Sequence, residues 1–98
     1  MAGMPRVSGV DVVASRTLRV VFTDGLVREL DFTETLVGFL AVIDSDEAFA
    51  GATVDPVSGT VSWPEGVDFD PDVLYGEHNA AGPLAPRLVR QYRVQHSV

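Results

Sequence analysis

"TLRVVFTDGLVRELDF", Thr17 to Phe32, is the stretch whose reading decides the fold. Two runs rich in β-branched and apolar residues flank Asp24-Gly25, a strong hairpin signal. The register follows from which residues it sets opposite one another. A two-residue Asp24-Gly25 loop places Val20 opposite Glu29 and Leu18 opposite Asp31, which mixes apolar and charged residues. A three-residue loop, Thr23 to Gly25, pairs Phe22 with Leu26, Val21 with Val27, Arg19 with Glu29 and Leu18 with Leu30. Leu18, Val20, Phe22, Leu26 and Leu30 then share one face, and the Arg19/Glu29 pair lies on the other. The three-residue loop is therefore expected, with Gly25 left-handed in a bulge.

Outward from this hairpin, "VSGVDVVA" (7–14) reads as a preceding strand. On the other side, "FTETLVGFL" is expected to start a helix, capped by Thr33, stapled by Phe32 onto Val37, and stopped or bent at Gly38. "DSDEAFAG" predicts a second short helix. Ser45 is its cap, Asp46 and Glu47 lie at the positive end of its dipole, and Gly51 follows its end. "ATVDPVSGTVSWP" predicts a second hairpin. Asp55-Pro56 opens the turn, Gly59 supplies a positive φ, Val54 faces Val61, Thr53 faces Ser62, and Pro64 ends the strand near Trp63. Val67 and Phe69 alternate with Asp68 and Asp70 as a short half-buried strand. Asp70 then caps a one-turn helix that has Pro71 at its first position and Gly76 at its end. The fold class is α+β, a single small domain of two antiparallel β-hairpins with short helices over residues 1–75. Residues 76–98 read as a C-terminal extension, a loop and then a short helix from Pro86. Arg87, Arg90 and Arg93 recur every three residues on one face of that helix, with Leu84, Leu88 and Tyr92 as its apolar stripe.

Composition narrows the function classes. Ninety-eight residues with 46% hydrophobic content suit one globular domain. With no Cys, disulfides, zinc thiolates and a catalytic thiol are excluded. With no Lys, so are a P-loop lysine and a Schiff base. The N-terminus lacks a signal-peptide pattern, and the longest apolar run, "LVGFLAVI", is far short of a membrane span of about 20 residues. A cytoplasmic location without a membrane association is the expectation. The net charge of −7 is unevenly placed: residues 31–77 carry eleven acids and no Arg. Such a body repels phosphate backbones, so nucleic acid is a poor partner, whereas a basic protein is a suitable one.

Candidate chemistry is sparse. Asp68, Asp70 and Asp72 alternate like calcium ligands, but the loop has Val73 and Asn79 where an EF-hand needs Gly and Glu. His78 and His96 are too far apart for a metal motif, and no nucleophile elbow is present. The sequence therefore offers no catalytic residues, no metal site and no cofactor site. Trp63, beside Pro64, reads as a core lid with its indole N–H bonded at the rim, or as an interface anchor with Tyr75 beside it.

Three segments together resemble a known family. "VVFTDGLVRELDF", "DSDEAFAGATVDPVSGTVSWPEG" and "VDFDPDVLY" look like the bacterial domain of unknown function 2442 family. The signature W-P-x-G-x-D-x-x-P-x-x-L-Y falls here on Trp63, Pro64, Gly66, Asp68, Pro71, Leu74 and Tyr75. Glu65 departs from the Asn or Asp common there, and residues 76–98 lie outside the resemblance. It implies a small α+β domain with no established catalytic residues. It also implies relatives that carry a helix-turn-helix domain, or that stand alone beside another small protein as toxin–antitoxin pairs do. The expected function is a non-enzymatic protein-interaction module, the antitoxin-like or accessory member of a small two-gene bacterial system. Its acidic middle (Asp44, Asp46, Glu47, Asp55, Glu65, Asp68), with Trp63 and Tyr75, would mask a small basic partner, while Arg87, Arg90 and Arg93 dock on a neighbour. The alternative is a homo-oligomeric scaffold or small-ligand domain in which Trp63 and Tyr75 line a groove.

Overall fold

The computed structural model describes residues 5–69, 71–76 and 85–94. Asp70, expected as a helix cap, lies outside them, as do His78, Leu84 and His96. Two antiparallel sheets and a few short helices make a small, mostly β domain. The first sheet has the order β1-β2-β3-β7, formed by β1 (Val7–Ala14), β2 (Thr17–Phe22), β3 (Leu26–Asp31) and β7 (Arg87–Arg93). The second has the order β4-β5-β6, formed by β4 (Thr53–Asp55), β5 (Thr60–Ser62) and β6 (Asp68–Phe69). Two helical turns, α1 (Asp46–Phe49) and α2 (Pro71–Tyr75), and a 3-10 turn over Gly38–Ile43 complete the described chain.

The β2–β3 register sets Val21 against Val27, Arg19 against Glu29 and Leu18 against Leu30. The turn closes when the Gly25 N–H donates to Phe22 O at 3.0 Å, with Gly25 at φ 91°. Leu18, Val20, Phe22, Leu26 and Leu30 are all buried on the inner face. The same register places Arg28 opposite Val20, hence on that face too. Its guanidinium escapes sideways, donating to Leu74 O at 2.7 Å and to Gln91 Oε1 at 2.9 Å. Against the sheet pack Phe32, Leu36, Ile43, Phe49, Val61, Trp63, Val67, Phe69 and Leu74. Phe32 is the hub, with ring centroids 5.1 Å from Phe69, 5.6 Å from Phe49 and 6.3 Å from Trp63. These tilted and edge contacts add roughly 0.5–1.5 kcal/mol each beyond burial. Every buried side-chain polar atom among the described residues has a partner.

Two helical expectations are corrected. No helix starts at Thr33, and Val37 is exposed, so Phe32 is not stapled there. Instead the Asp31 carboxylate accepts from the Thr33 N–H at 2.8 Å and from its hydroxyl at 2.6 Å. This local side-chain turn competes with the helix. The helical turn begins only at Gly38, whose φ of 61° re-aims the chain, so Gly38 starts an element rather than stopping one. The second correction is β7, which is a strand where a helix was expected. Leu88 faces Leu30 while Arg90 faces Glu29, so Val89 is the extra residue of a bulge. That bulge brings Arg87 and Arg90, three apart, to the same side of a strand. A three-residue spacing thus had two readings, and a ladder on β3 satisfies the backbone where a short lone helix would be marginal. Residues 87–93 therefore complete the first sheet.

The remaining signals act locally as their chemistry dictates. Ser45 Oγ accepts from the Ala48 N–H at 3.1 Å and caps α1. Val54 faces Val61 and Thr53 faces Ser62 across the second hairpin, with Gly59 at φ 71°. Gly76, at φ 84°, ends α2. No helix among the described residues is long and apolar enough to cross a membrane.

Candidate interaction surface

The residues singled out by the sequence fall into four environments. Trp63 is sealed in the core at 3% exposure, and its indole N–H donates to Phe49 O at 2.9 Å. It is the lid between α1 and the second sheet, and it lines no surface groove. Tyr75 does not sit beside it. Its ring meets Phe22 edge-on at 4.9 Å, and its hydroxyl donates to Asp24 Oδ2 at 2.5 Å.

The acidic middle divides. Asp44 and Asp46 are clamped by Arg16, through Nε to Asp44 Oδ1 at 2.9 Å and Nη1 to Asp46 Oδ1 at 2.6 Å. Ser15 Oγ also donates to Asp46 at 3.1 Å. The Arg16 hydrogen bond, aided by Ser15, holds the Asp46 carboxyl below the usual carboxylate range. Arg16 turns the corner between β1 and β2 at φ 61°, the one non-glycine residue with a left-handed backbone among the described residues. Asp55 is engaged in its own turn, accepting from the Val57 N–H at 2.9 Å, which lowers its pKa. Glu47, Glu65 and Asp68 are exposed and form no ion pair among the described residues. Glu47 and Glu65 flank one corner. There the Trp63–Phe49 bond ties α1 to the turn holding Glu65, and Gly51 approaches Pro64 so closely that a Cβ would lie 3.1 Å from its ring. Asp68 lies on β6, the adjoining sheet edge.

The three C-terminal arginines do not reach that acidic corner. Arg87 pairs with Asp31 at 2.9 Å, Arg90 with Glu29 at 3.9 Å and Arg93 with Asp24 at 3.3 Å. Asp31 is held low chiefly by Thr33, with Arg87 assisting. Asp24 is held low first by the Tyr75 hydroxyl, then by the Leu26 N–H and Arg93, against an opposing effect of desolvation. Across the outer face, Asp11, Arg19, Glu29 and Arg90 stand opposite one another on four successive strands, alternating in sign. Arg6 donates to Pro56 O at 2.7 Å. Each of the seven arginines is thus turned to a contact within the chain. Sequence reasoning missed Arg6, Arg16 and Arg28, whose main partners lie 28 to 63 residues away and leave no local pattern.

The clefts are shallow. One of about 290 Å³ is lined by Val12, Val13, Ala14, Ser15, Arg16, Asp46 and Phe49. No group of three or more metal-ligating side chains gathers among the described residues.

The stretch from β1 through α2, which holds the Trp63–Tyr75 signature, lies within the match to a family model. The model described as "Protein of unknown function (DUF2442)" matches residues 7–80. The chain belongs to this family. The match takes in both sheets except β7, so Arg87, Arg90 and Arg93 lie beyond it. No match was found among curated proteins or among solved structures.

Proposed function

We propose that the protein is a non-enzymatic protein-interaction module that holds a basic protein partner against its acidic side. In this reading it is the antitoxin-like or accessory half of a small two-gene bacterial system. The observation that carries the reading is the disposition of charge. The cations of Arg6, Arg16, Arg19, Arg28, Arg87, Arg90 and Arg93 are all turned to internal contacts. Glu34, Glu47, Glu65 and Asp68 are exposed without an ion pair among the described residues. The surplus charge offered to an approaching molecule is therefore negative, which steers and retains a basic surface. The partner-facing acids are accordingly Glu47, Glu65 and Asp68 rather than Asp44, Asp46 and Asp55, which serve the fold.

A second reading, self-association, is favoured by one feature. β7 is an edge strand along which Leu88, Val89 and Tyr92 are exposed, with Val94 just beyond. Capture with the tagged full-length chain at low and high salt, read by mass spectrometry, separates the two. A small basic protein lost at high salt supports the interaction module. A discrete multimer at both salts, with no captured partner, supports self-association and sinks the first reading.

A further inference from the structure

We propose that the outer edge of β3 is a docking groove for an arginine-bearing extended segment of the basic partner, and that β7 is its resident occupant. The inference rests on the reading that the partner is basic, and it adds a second contact, at the β3 edge, to the one made by Glu47, Glu65 and Asp68.

β7 is attached in an unusual way for a strand of a small domain. All seven of its side chains are exposed, and none joins the hydrophobic core. What holds it is the backbone ladder and polar side chains: the three Arg–carboxylate pairs, Gln91 on Arg28 Nε at 2.9 Å, and Arg93 Nη1 on Asp24 O at 2.9 Å. Exposed ion pairs contribute little and weaken with salt. An incoming strand of like sequence would replace each ladder bond one for one, so exchange sacrifices little burial. The groove itself is specific. Glu29 and Asp31 supply two acids on the outer face of the edge, and Asp24, in the turn at its end, a third; buried Leu30 on the inner face and Val27 on the outer, opposite Leu88 and Tyr92, add an apolar contact on each side. With a bulge in the docked strand, that arrangement reads arginines three residues apart. The family match ends at residue 80, so among the described residues of the matched unit β3 has no neighbour on this side. The chain fills the edge with a strand from beyond that unit. Strand addition to a sheet edge gives affinity through the main chain and selectivity through alternate side chains.

The test uses the full-length chain and a labelled peptide of residues 86–94, PRLVRQYRV, followed by fluorescence anisotropy. Wild type should bind it weakly, because its own strand holds the groove at high effective concentration. Arg90→Glu loosens that strand and should bind the peptide roughly tenfold tighter or more. Glu29→Arg loosens the strand equally but removes the recognising acid, so it should lose peptide binding. Thermal melts followed by circular dichroism check that both variants fold. Binding by Arg90→Glu no tighter than wild type overturns the proposal, as does equal binding by Glu29→Arg and Arg90→Glu. A wild-type dimer that Arg90→Glu dissociates gives the edge to a second copy and also overturns it. Should the peptide fail while reversal of Glu47, Glu65 and Asp68 still abolishes partner capture, the edge proposal falls and the acidic-surface reading stands.

Discussion

Replacing Trp63 by Phe tests how α1 is joined to the second sheet. The indole N–H is the donor to Phe49 O, at 2.9 Å, in a site where Trp63 is 3% exposed. Phe keeps the aromatic contacts with Phe32, Phe49 and Phe69 in part, but it removes that donor. A buried carbonyl left without its partner costs about 1–3 kcal/mol. The smaller ring also leaves a cavity, adding about 1 kcal/mol at ~24 cal/mol per Å³. The sum is about 2–4 kcal/mol, a large fraction of the ~5–15 kcal/mol that stabilises a domain. With a urea m-value of about 1.5 kcal/mol/M, the midpoint should fall by about 2 M. Far-UV circular dichroism is the assay, because the substitution removes the only Trp and with it the fluorescence reporter. A loss under 0.5 kcal/mol would refute the reasoning. It would mean that the indole is not the seam between α1 and the second sheet.

Three further outcomes follow from local contacts. Thr60 is buried, and its hydroxyl donates to Phe69 O, bracing β5 to β6; Thr60→Val should cost about 1–2 kcal/mol in urea unfolding. Asp24 has a folded-state pKa below its ordinary value of about 3.9, so its contribution is complete above that pH and lost as pH falls through the lowered pKa. Asp24→Asn should therefore melt below wild type at neutral pH, and the two melting curves should converge in strong acid. Arg16→Asn keeps a residue tolerant of the left-handed backbone and frees Asp44 and Asp46. On the proposed function it should tighten capture of the basic partner roughly threefold at low salt, read by titration calorimetry.

How much of this was legible in the sequence depends on the range of the signal. The β2–β3 register could be read because Arg19/Glu29 and Leu18/Leu30 fall together in only one of the two loop lengths weighed. Ser45, Gly59 and Gly76 act within a few residues of themselves, so their roles were readable as well. The segment after Phe32 misled because Asp31, the end of a strand, captures Thr33 before a helix can start. β7 misled because arginines three apart fit both a helix and a bulged strand, and only the vacant β3 edge decides between them. The acidic middle could be counted, but its division could not. That Arg16 would reach Asp44 and Asp46, and leave Glu47 outside, depends on a corner residue meeting a helix 30 residues on.

The central claim is that Glu47, Glu65 and Asp68 present the charge that holds a basic partner. The most direct measurement is the affinity of the captured partner for wild type and for the triple variant Glu47→Lys, Glu65→Lys, Asp68→Lys across a range of salt concentrations. The account predicts tight binding by wild type that weakens steeply with salt, and loss of binding in the triple variant. Equal affinity of the two proteins, with no dependence on salt, would contradict it.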